Sequence, residues 1–293
     1  MDRIIRGISR NARFFVTDTT EIVREALAMH ECTPGAIYSF GKFLTAGIIM
    51  GATLKGEDVL TLRTDTDGLV GQMLLTVNGK GDVKGYIQSP GAQYLQVATE
   101  HKVSDFLGTG ALRVIKDMGL KDPYSGVSDM TTGDLAQDIA YYYHVSEQIP
   151  TVISLGVSID GEGNIVSAGG YMIQLLPDAD DDFIDKLEEK IKAIRNFTEL
   201  RQGGMDLERI IHLLYEDMED EKGEKLIEEY EILEEKKVQY LCNCSREKFH
   251  SGVVTLGKKE IDEIIQEKGS LDVECHFCRK IYSFNSEDFK DMK

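Results

Sequence analysis

Nucleotide chemistry has no foothold in this sequence. It contains no GxxxxGK(S/T) phosphate loop and no GxGxxG turn following a strand; Gly79-Lys80-Gly81 reads as a turn. There is no HExxH, since His30-Glu31 has no second histidine four residues on, and no GxSxG elbow. The six histidines are scattered. These gaps predict a protein that is not an enzyme. Positive charge is also short: 33 Lys and Arg stand against 51 Asp and Glu, a net charge of −18. That balance opposes a phosphate-binding surface, so no nucleic-acid partner is expected, and it repels anionic membranes. Long apolar runs are missing too. The most apolar stretch, Ala36 to Leu54, is interrupted by Lys42 and reads as a core helix rather than a membrane span. The start, Met-Asp-Arg-Ile-Ile-Arg-Gly, lacks the apolar run of a signal peptide. The expectation is a reducing cytoplasm, where clustered cysteines serve as metal ligands or redox sensors rather than permanent disulfides.

Cysteine itself is scarce, and its placement is the strongest signal present. Of five cysteines, four fall within residues 242 to 293, as Cys242-Asn243-Cys244 and Cys275-His276-Phe277-Cys278. The 30 residues from Ser245 to Glu274 separate the pairs. Thiolates two or three residues apart on a turn reach one ion, and a second such turn closes a tetrahedron of sulfurs. Zinc suits that donor set, being soft enough for sulfur and indifferent to the geometry. His250 and His276 lie close by, but four cysteines already fill the tetrahedron. Cys32 stands alone near Pro34 and reads as a packed thiol.

Residues 1–177 read as one α+β domain with an antiparallel or mixed sheet and helices packed on it. Arg13 to Thr17 and Leu60 to Thr64 are strand-like. Gly71 to Val77 and Val83 to Gln88 flank Asn78-Gly79-Lys80-Gly81, a hairpin signal because both Asn and Gly tolerate positive φ. Thr151 to Ile159 and Ile165 to Leu176 form a second expected hairpin around Gly161-Glu162-Gly163. Asp18-Thr19-Thr20-Glu21 resembles a capping box opening a helix to His30. Thr33-Pro34 opens another, with Ile37, Phe40, Leu44 and Ile48 on one stripe. Thr132 to Glu147 is a third, and its Tyr141-Tyr142-Tyr143 run reads as core plus surface.

Past Pro177 the composition shifts. Residues 178–237 hold 21 acidic and 10 basic residues, which is 11 of the 18 net negative charges. Apolar residues recur at helical spacing: Phe183, Leu187, Ile191 and Ile194; Leu207, Ile210, Ile211 and Leu214; Leu226, Tyr230 and Leu233. Three amphipathic helices are expected, forming an acidic linker whose docking is weakened by like-charge repulsion. An ordinary solvated linker and a segment that undocks under stress both fit this pattern. Residues 238–293 are expected to form a small metal domain. A unit below roughly 60 residues depends on its ion for folding, so losing the ion should unfold it.

Zinc keeps sulfurs deprotonated, and the thiolate is what oxidants attack. A CxxC disulfide forms readily, whereas a CxC disulfide closes a tight, easily reduced ring. Pairing two sulfurs breaks the tetrahedron. An inert structural site and a redox-sensitive one are both open on spacing alone.

The chain also resembles a known family. Cys242-Asn243-Cys244-Ser245, Leu256-Gly257, Val273-Glu274-Cys275-His276-Phe277-Cys278 and Tyr282-Ser283-Phe284 are similar to the zinc module of the heat-shock protein 33 family, redox-regulated chaperonins of bacteria. Asp134 to Tyr143, with Ser146-Glu147-Gln148 and Pro150, resembles that family's central helix, and Ala168 to Gln174 with Leu176-Pro177 its closing strand. The likeness covers nearly the whole chain in the same order, and the CxC with CxxC is its most specific element. It implies an ATP-independent holding chaperone, inactive when reduced and zinc-bound. Oxidation would pair Cys242–Cys244 and Cys275–Cys278, release zinc, unfold the metal domain and linker, and expose apolar surface to unfolding client proteins, with homodimer formation. Two other classes compete: a zinc-ribbon module recruiting nucleic acid or transcription machinery, against which the acidic charge stands, and a thiol–disulfide oxidoreductase, which needs a thioredoxin-like βαβ setting for its CxxC.

Overall fold

The computed structural model describes residues 1–94, 102–194, 196–215, 229–290 and 292. The chain divides into two compact units, Met1–Tyr240 and Leu241–Lys293. In the first, strands β1 (Arg3–Ser9) and β2 (Ala12–Asp18) precede helices α1 (Thr20–His30) and α2 (Pro34–Gly51). Strands β3 (Val59–Thr66), β4 (Met73–Asn78) and β5 (Asp82–Ile87) follow, then the short α3 (Ser104–Leu107), β6 (Gly110–Asp117), β7 (Tyr124–Met130) and α4 (Leu135–Tyr142). After the hairpin β8 (Thr151–Ile159) and β9 (Ile165–Leu175) come α5 (Asp181–Ala193), α6 (Phe197–Gln202), α7 (Leu207–Tyr215), β10 (Tyr230–Lys237) and β11 (Gln239–Tyr240). Sheet one runs β10-β1-β2-β9-β8 and sheet two β11-β5-β4-β3-β6-β7. All described pairings are antiparallel except β11 beside β5, so the α+β mixed-sheet expectation holds.

Helix α2 touches strands of both sheets. Thr33 caps it, its side chain accepting from the Ala36 amide, and Pro34 occupies the first turn, where it has no hydrogen bond to lose. The sequence suggested a single apolar stripe. Instead the helix is buried all round, as an apolar helix in the middle of a core must be. Gly47 is required there: a Cβ would meet the Leu75 side chain at 2.7 Å. Helix α4 lies inside the expected Thr132–Glu147 span, capped by Asp134, and continues as a π turn through Glu147. Tyr142 and Tyr143 are buried and Tyr141 is exposed, as the core-plus-surface reading required.

The capping box at α1 does not form. Thr19 makes no side-chain cap bond; the Asp2 carboxylate reaches over from the start of β1 and accepts from the Glu21 and Ile22 amides at 3.0 and 2.7 Å. A tertiary carboxylate satisfies the helix end better than the local box, since it also meets the positive end of the helix dipole.

Sheet one is covered on both faces. Phe15 and Ile4 belong to the core around α2, while Ile5, Phe14, Val16, Tyr171 and Ile173 point the other way. That second face is closed by Phe183 and Leu187 of α5, Phe197 and Leu200 of α6, and Leu207, Ile210, Ile211 and Leu214 of α7. The acidic segment thus packs within the first unit. Ion pairs join it to the sheet: Arg3 to Glu208 and Glu235 at 2.7 Å each, Arg6 to Glu234 at 2.8 Å, and Arg201 to Asp18. Among the described residues the third expected helix is not there. Tyr230 and Leu233 stand on β10, which pairs with β1, and Leu226 lies outside the described residues. The edge of β1 offers backbone partners to this stretch, and tertiary pairing overrides a weak helical period.

The first unit ends on a clip. Val238 is buried and its amide donates to the Asp2 carbonyl. The Tyr240 hydroxyl donates to the Gly85 carbonyl at 2.9 Å and accepts from the Gly85 amide at 3.1 Å, so one side chain satisfies both backbone groups of a buried strand residue. Replacing Tyr240 by Phe keeps the ring but orphans those groups, a loss of about 1–3 kcal/mol. Hydrogen exchange should then speed up at Gly85 and across 236–240; unchanged protection would show that the hydroxyl holds nothing.

Burial lifts the Asp2 carboxyl from its ordinary 3.8 to about 6, with Asp18 and Glu21 adding negative potential against the two amide hydrogen bonds. The folded state therefore binds this proton more tightly than the unfolded chain does. The stabilisation is fully present below about pH 4 and fades as pH rises through about 6. Relative to an Asp2→Asn variant, the wild type should lose stability between about pH 4 and about pH 7 in urea unfolding. A gap between the two that does not change with pH would contradict this.

Candidate metal centre

The second unit, Leu241–Lys293, contains helices α8 (Arg246–Val253) and α9 (Lys258–Lys268) and a two-stranded sheet of β12 (Leu271–Glu274) and β13 (Ile281–Phe284). Its described core is small: Val253, Ile261, Ile265, Leu271, Tyr282, Phe284 and Phe289.

Each cysteine pair sits on a turn that the local sequence shapes. Ser245, directly after Cys244, caps α8 by accepting from the Lys248 amide, and the Lys248 ammonium donates to the Asn243 carbonyl. These bonds hold the CxC loop against the helix start. The CxxC lies between β12 and β13. The Cys275 amide donates to the Lys280 carbonyl at 2.9 Å and the Arg279 amide to the Cys275 carbonyl at 2.7 Å. Arg279 takes a left-handed φ of 60° to close the turn, and its side chain pairs with Glu274 at 2.7 Å. Backbone strain at a non-glycine residue is tolerated where surrounding contacts fix the turn.

The two turns bring all four sulfurs together. The Sγ atoms of Cys242, Cys244, Cys275 and Cys278 lie within 4.8 Å of one another, with Cys242–Cys275 at 3.7 Å and Cys244–Cys278 at 3.4 Å. A tetrahedron with metal–sulfur bonds of about 2.3 Å has edges of about 3.8 Å, whereas a disulfide would put two sulfurs about 2.05 Å apart. The four thiols therefore fit a metal ion, and an all-sulfur donor set selects soft or borderline metals. Cys275 is buried and the other three are half-buried.

Tyr282, part of the Tyr282-Ser283-Phe284 pattern, has a role the pattern alone does not reveal. Its hydroxyl lies 3.1 Å from the Cys244 sulfur and is placed to donate to a thiolate there. Burial alone would lift the Cys244 thiol, but the bonds from Tyr282 and the neighbouring thiols outweigh it and bring the group down to about 7. Burial pushes the Cys278 and Cys242 thiols up. The site is electrostatically uneven, with one sulfur favoured as thiolate.

Neither nearby histidine is in the cluster. His250 stacks on Phe289 and its Nε2 lies 2.8 Å from the Asp288 carbonyl. Cys32 is buried in the first unit and burial raises its thiol to about 12, which suits a packed, unreactive sulfur. No helix among the described residues is long and apolar enough to cross a membrane.

Comparison with known proteins agrees with this arrangement. The family model described as Hsp33 protein matches residues 2–285. A 33 kDa chaperonin of Clostridium perfringens strain SM101 is 39% identical over 294 residues, covering 98% of this chain and 90% of the relative. One from Clostridium botulinum strain 657 is 38% identical over 297 residues, covering 99% and 97%. The crystal structure of the 33 kDa chaperonin (heat shock protein 33 homolog) of Thermotoga maritima superposes with a TM-score of 0.86 at 27% identity, covering 99% of this chain and 96% of that one. With the family model, the relatives and the fold in agreement over nearly its full length, the chain belongs to the Hsp33 protein family.

Proposed function

We propose that this member of a chaperone family is a redox-switched, ATP-independent holding chaperone of the cytoplasm. It acts by binding unfolding proteins, not by turnover. The observation that carries the reading is the convergence of four thiols in a unit with few buried apolar side chains, in the same chain as an acidic segment that covers an apolar sheet face.

In the reduced form Cys242, Cys244, Cys275 and Cys278 would hold one zinc ion and the protein is inactive. Zinc, when bound, keeps the sulfurs as thiolates at neutral pH and supplies folding energy that so small a core lacks. Cys244, with the Tyr282 hydroxyl against it, is the sulfur best stabilised as a thiolate. Each oxidation consumes one peroxide: two thiolates give up two electrons, an S–S bond forms, and the peroxide O–O bond breaks and takes two protons from solvent to give two waters. The pairs are Cys242–Cys244 and Cys275–Cys278. This pairing follows the family resemblance and not the sulfur contacts, since Cys242–Cys275 at 3.7 Å and Cys244–Cys278 at 3.4 Å run across the two turns. Once the sulfurs are paired the donor set is gone and the small core must stand alone.

In this reading residues 1–177 are the body, 178–237 the releasable acidic segment and 238–293 the switch. Release of α5–α7 uncovers Ile5, Phe14, Val16, Tyr171 and Ile173 on sheet one, an apolar face for unfolding clients or a second copy of the chain. The freed acidic segment keeps the loaded complex in solution.

Treatment with peroxide or hypochlorous acid should remove four free thiols and one zinc per chain. The product should suppress light scattering from a heat-denaturing client, and disulfide mapping should find neighbour pairs. Oxidised, zinc-free protein no better than the reduced form would end the proposal.

Undocking without oxidation should have the same effect. Ile211 is fully buried under sheet one, so Ile211→Asp places an unpaired charge in an apolar contact. The reduced variant, with thiols and zinc intact, should hold clients and dimerise. A reduced variant that is well folded but inactive would separate client binding from this face.

A further inference from the structure

A second site lies in the first unit. Between the start of α2, the 89–94 loop and α3 runs an apolar groove of about 460 Å³, walled by Tyr38, Tyr94, Val103, Phe106 and Ile159. Its walls are held in place. The Thr33 hydroxyl donates to the Ala92 carbonyl at 2.6 Å and the Tyr94 hydroxyl to the Lys102 carbonyl at 2.7 Å. Tyr94 meets Phe106 edge-on at 4.8 Å. Gly35 lets the Phe106 ring lie on the helix start, since a Cβ there would fall 2.0 Å from the ring.

Tyr38 and Val103 also line a smaller cavity of about 130 Å³, together with Ser39, Lys42 and Ser104. Lys42 is the charge that interrupts the most apolar stretch of the sequence, and its side chain is only 12% exposed. Its ammonium lies over the Tyr38 ring at 4.4 Å and 3.9 Å from Asp134, beyond hydrogen-bond reach. The Asp134 carboxylate also caps α4, its Oδ1 accepting from the Ala136 and Gln137 amides at 2.9 and 3.1 Å, while its Oδ2 faces Lys42 as an ion pair too long for a hydrogen bond. Among the described residues the ammonium makes no hydrogen bond. Confining a lysine this way is costly unless its donors find an acceptor. The cavity at its head is roomy enough for one, lined by Ser39, Ser104 and Asp134, whose carboxylate leaves the ammonium's hydrogen-bond donors unused.

We infer that groove and cavity form one binding site for a small amphipathic carboxylate. The apolar body lies against Tyr38, Tyr94, Phe106 and Ile159, and the carboxylate meets the Lys42 ammonium among Ser39 and Ser104. The volume is that of small-molecule sites, which pair an apolar wall with a few convergent polar groups. Carboxylate is the fitting head group because Lys42 offers a charge-assisted bond to an anion, and Tyr38 shields that bond from water. This site is independent of the cysteine cluster and of the redox reading.

The test uses the reduced full-length chain and two probes, decanoate and decanol, below their aggregation limits, with calorimetry and ligand-observed NMR. Decanoate should bind in one-to-one ratio and more tightly than decanol. Lys42→Met should weaken decanoate on the order of tenfold, as loss of one charge-assisted hydrogen bond implies, and leave decanol unchanged. Val103 is 57% exposed at the groove's rim, so Val103→Glu tests the site without disturbing the core; it should weaken decanoate and spare the fold. Equal affinity for the two probes, or decanoate binding that neither substitution alters, would overturn the assignment by showing adsorption to apolar surface only.

Discussion

A sheet covered on both faces is the constraint on which this structure rests. In β2 the side chains alternate, so Phe15 enters the core around α2 while Phe14 and Val16 face α5–α7. One face is closed by the most apolar helix of the chain, the other by its most acidic segment. Full burial of an aliphatic or aromatic side chain contributes about 1.5–3 kcal/mol, and nine from α5–α7 are buried in this contact. The ion pairs of Arg3, Arg6 and Arg201 are partly exposed and contribute well under about 1 kcal/mol each. Apolar contact therefore decides whether the segment docks, and the ion pairs set its register. Self-repulsion among its carboxylates opposes docking throughout.

Continuity of the chain matters as much as the contact. Strand β10 is tied to β1, β11 to β5, and Tyr240 to Gly85, and Cys242 is only two residues further on. The first cysteine of the cluster therefore follows an anchored strand rather than a loose tether. On the other side of that point stands a 53-residue unit with few fully buried side chains, below the size at which burial alone usually sustains a fold. Four converging sulfurs are what such a unit can add in place of a larger core.

Much of this was legible in the sequence, for identifiable reasons. Hairpins announce themselves by local chemistry: Asn78 accepts from the Lys80 and Asp82 amides, and the turn is where Asn-Gly put it. Pro34 and Thr33 mark the start of α2 in the same way. The cysteine turns were readable because chelation needs short spacing, which is itself a sequence pattern. What could not be read depends on residues far apart in the chain. Asp2 caps a helix that begins at Thr20, and β10 forms only because the edge of β1 is open more than 200 residues earlier. The Tyr282 bond to Cys244 is invisible for the same reason. Tyr230 and Leu233 kept a helical period, yet backbone pairing outweighed it.

The proposed switch also fixes the sign of a coupling that no single contact displays. If metal binding and docking of the acidic segment favour the same folded state, each stabilises the other by the same free energy. Apolar burial under sheet one then raises the affinity of the cysteine cluster for its ion, and the carboxylates of residues 178–237 lower it by opposing docking. A segment with more cationic residues would hold the ion more tightly and resist oxidation longer; a still more acidic one would release it too soon. The 21 acidic and 10 basic residues of that stretch are thus more than a solubility device. If the switch operates as proposed, they and the buried face of α5–α7 together set how much oxidation the chain tolerates before it opens.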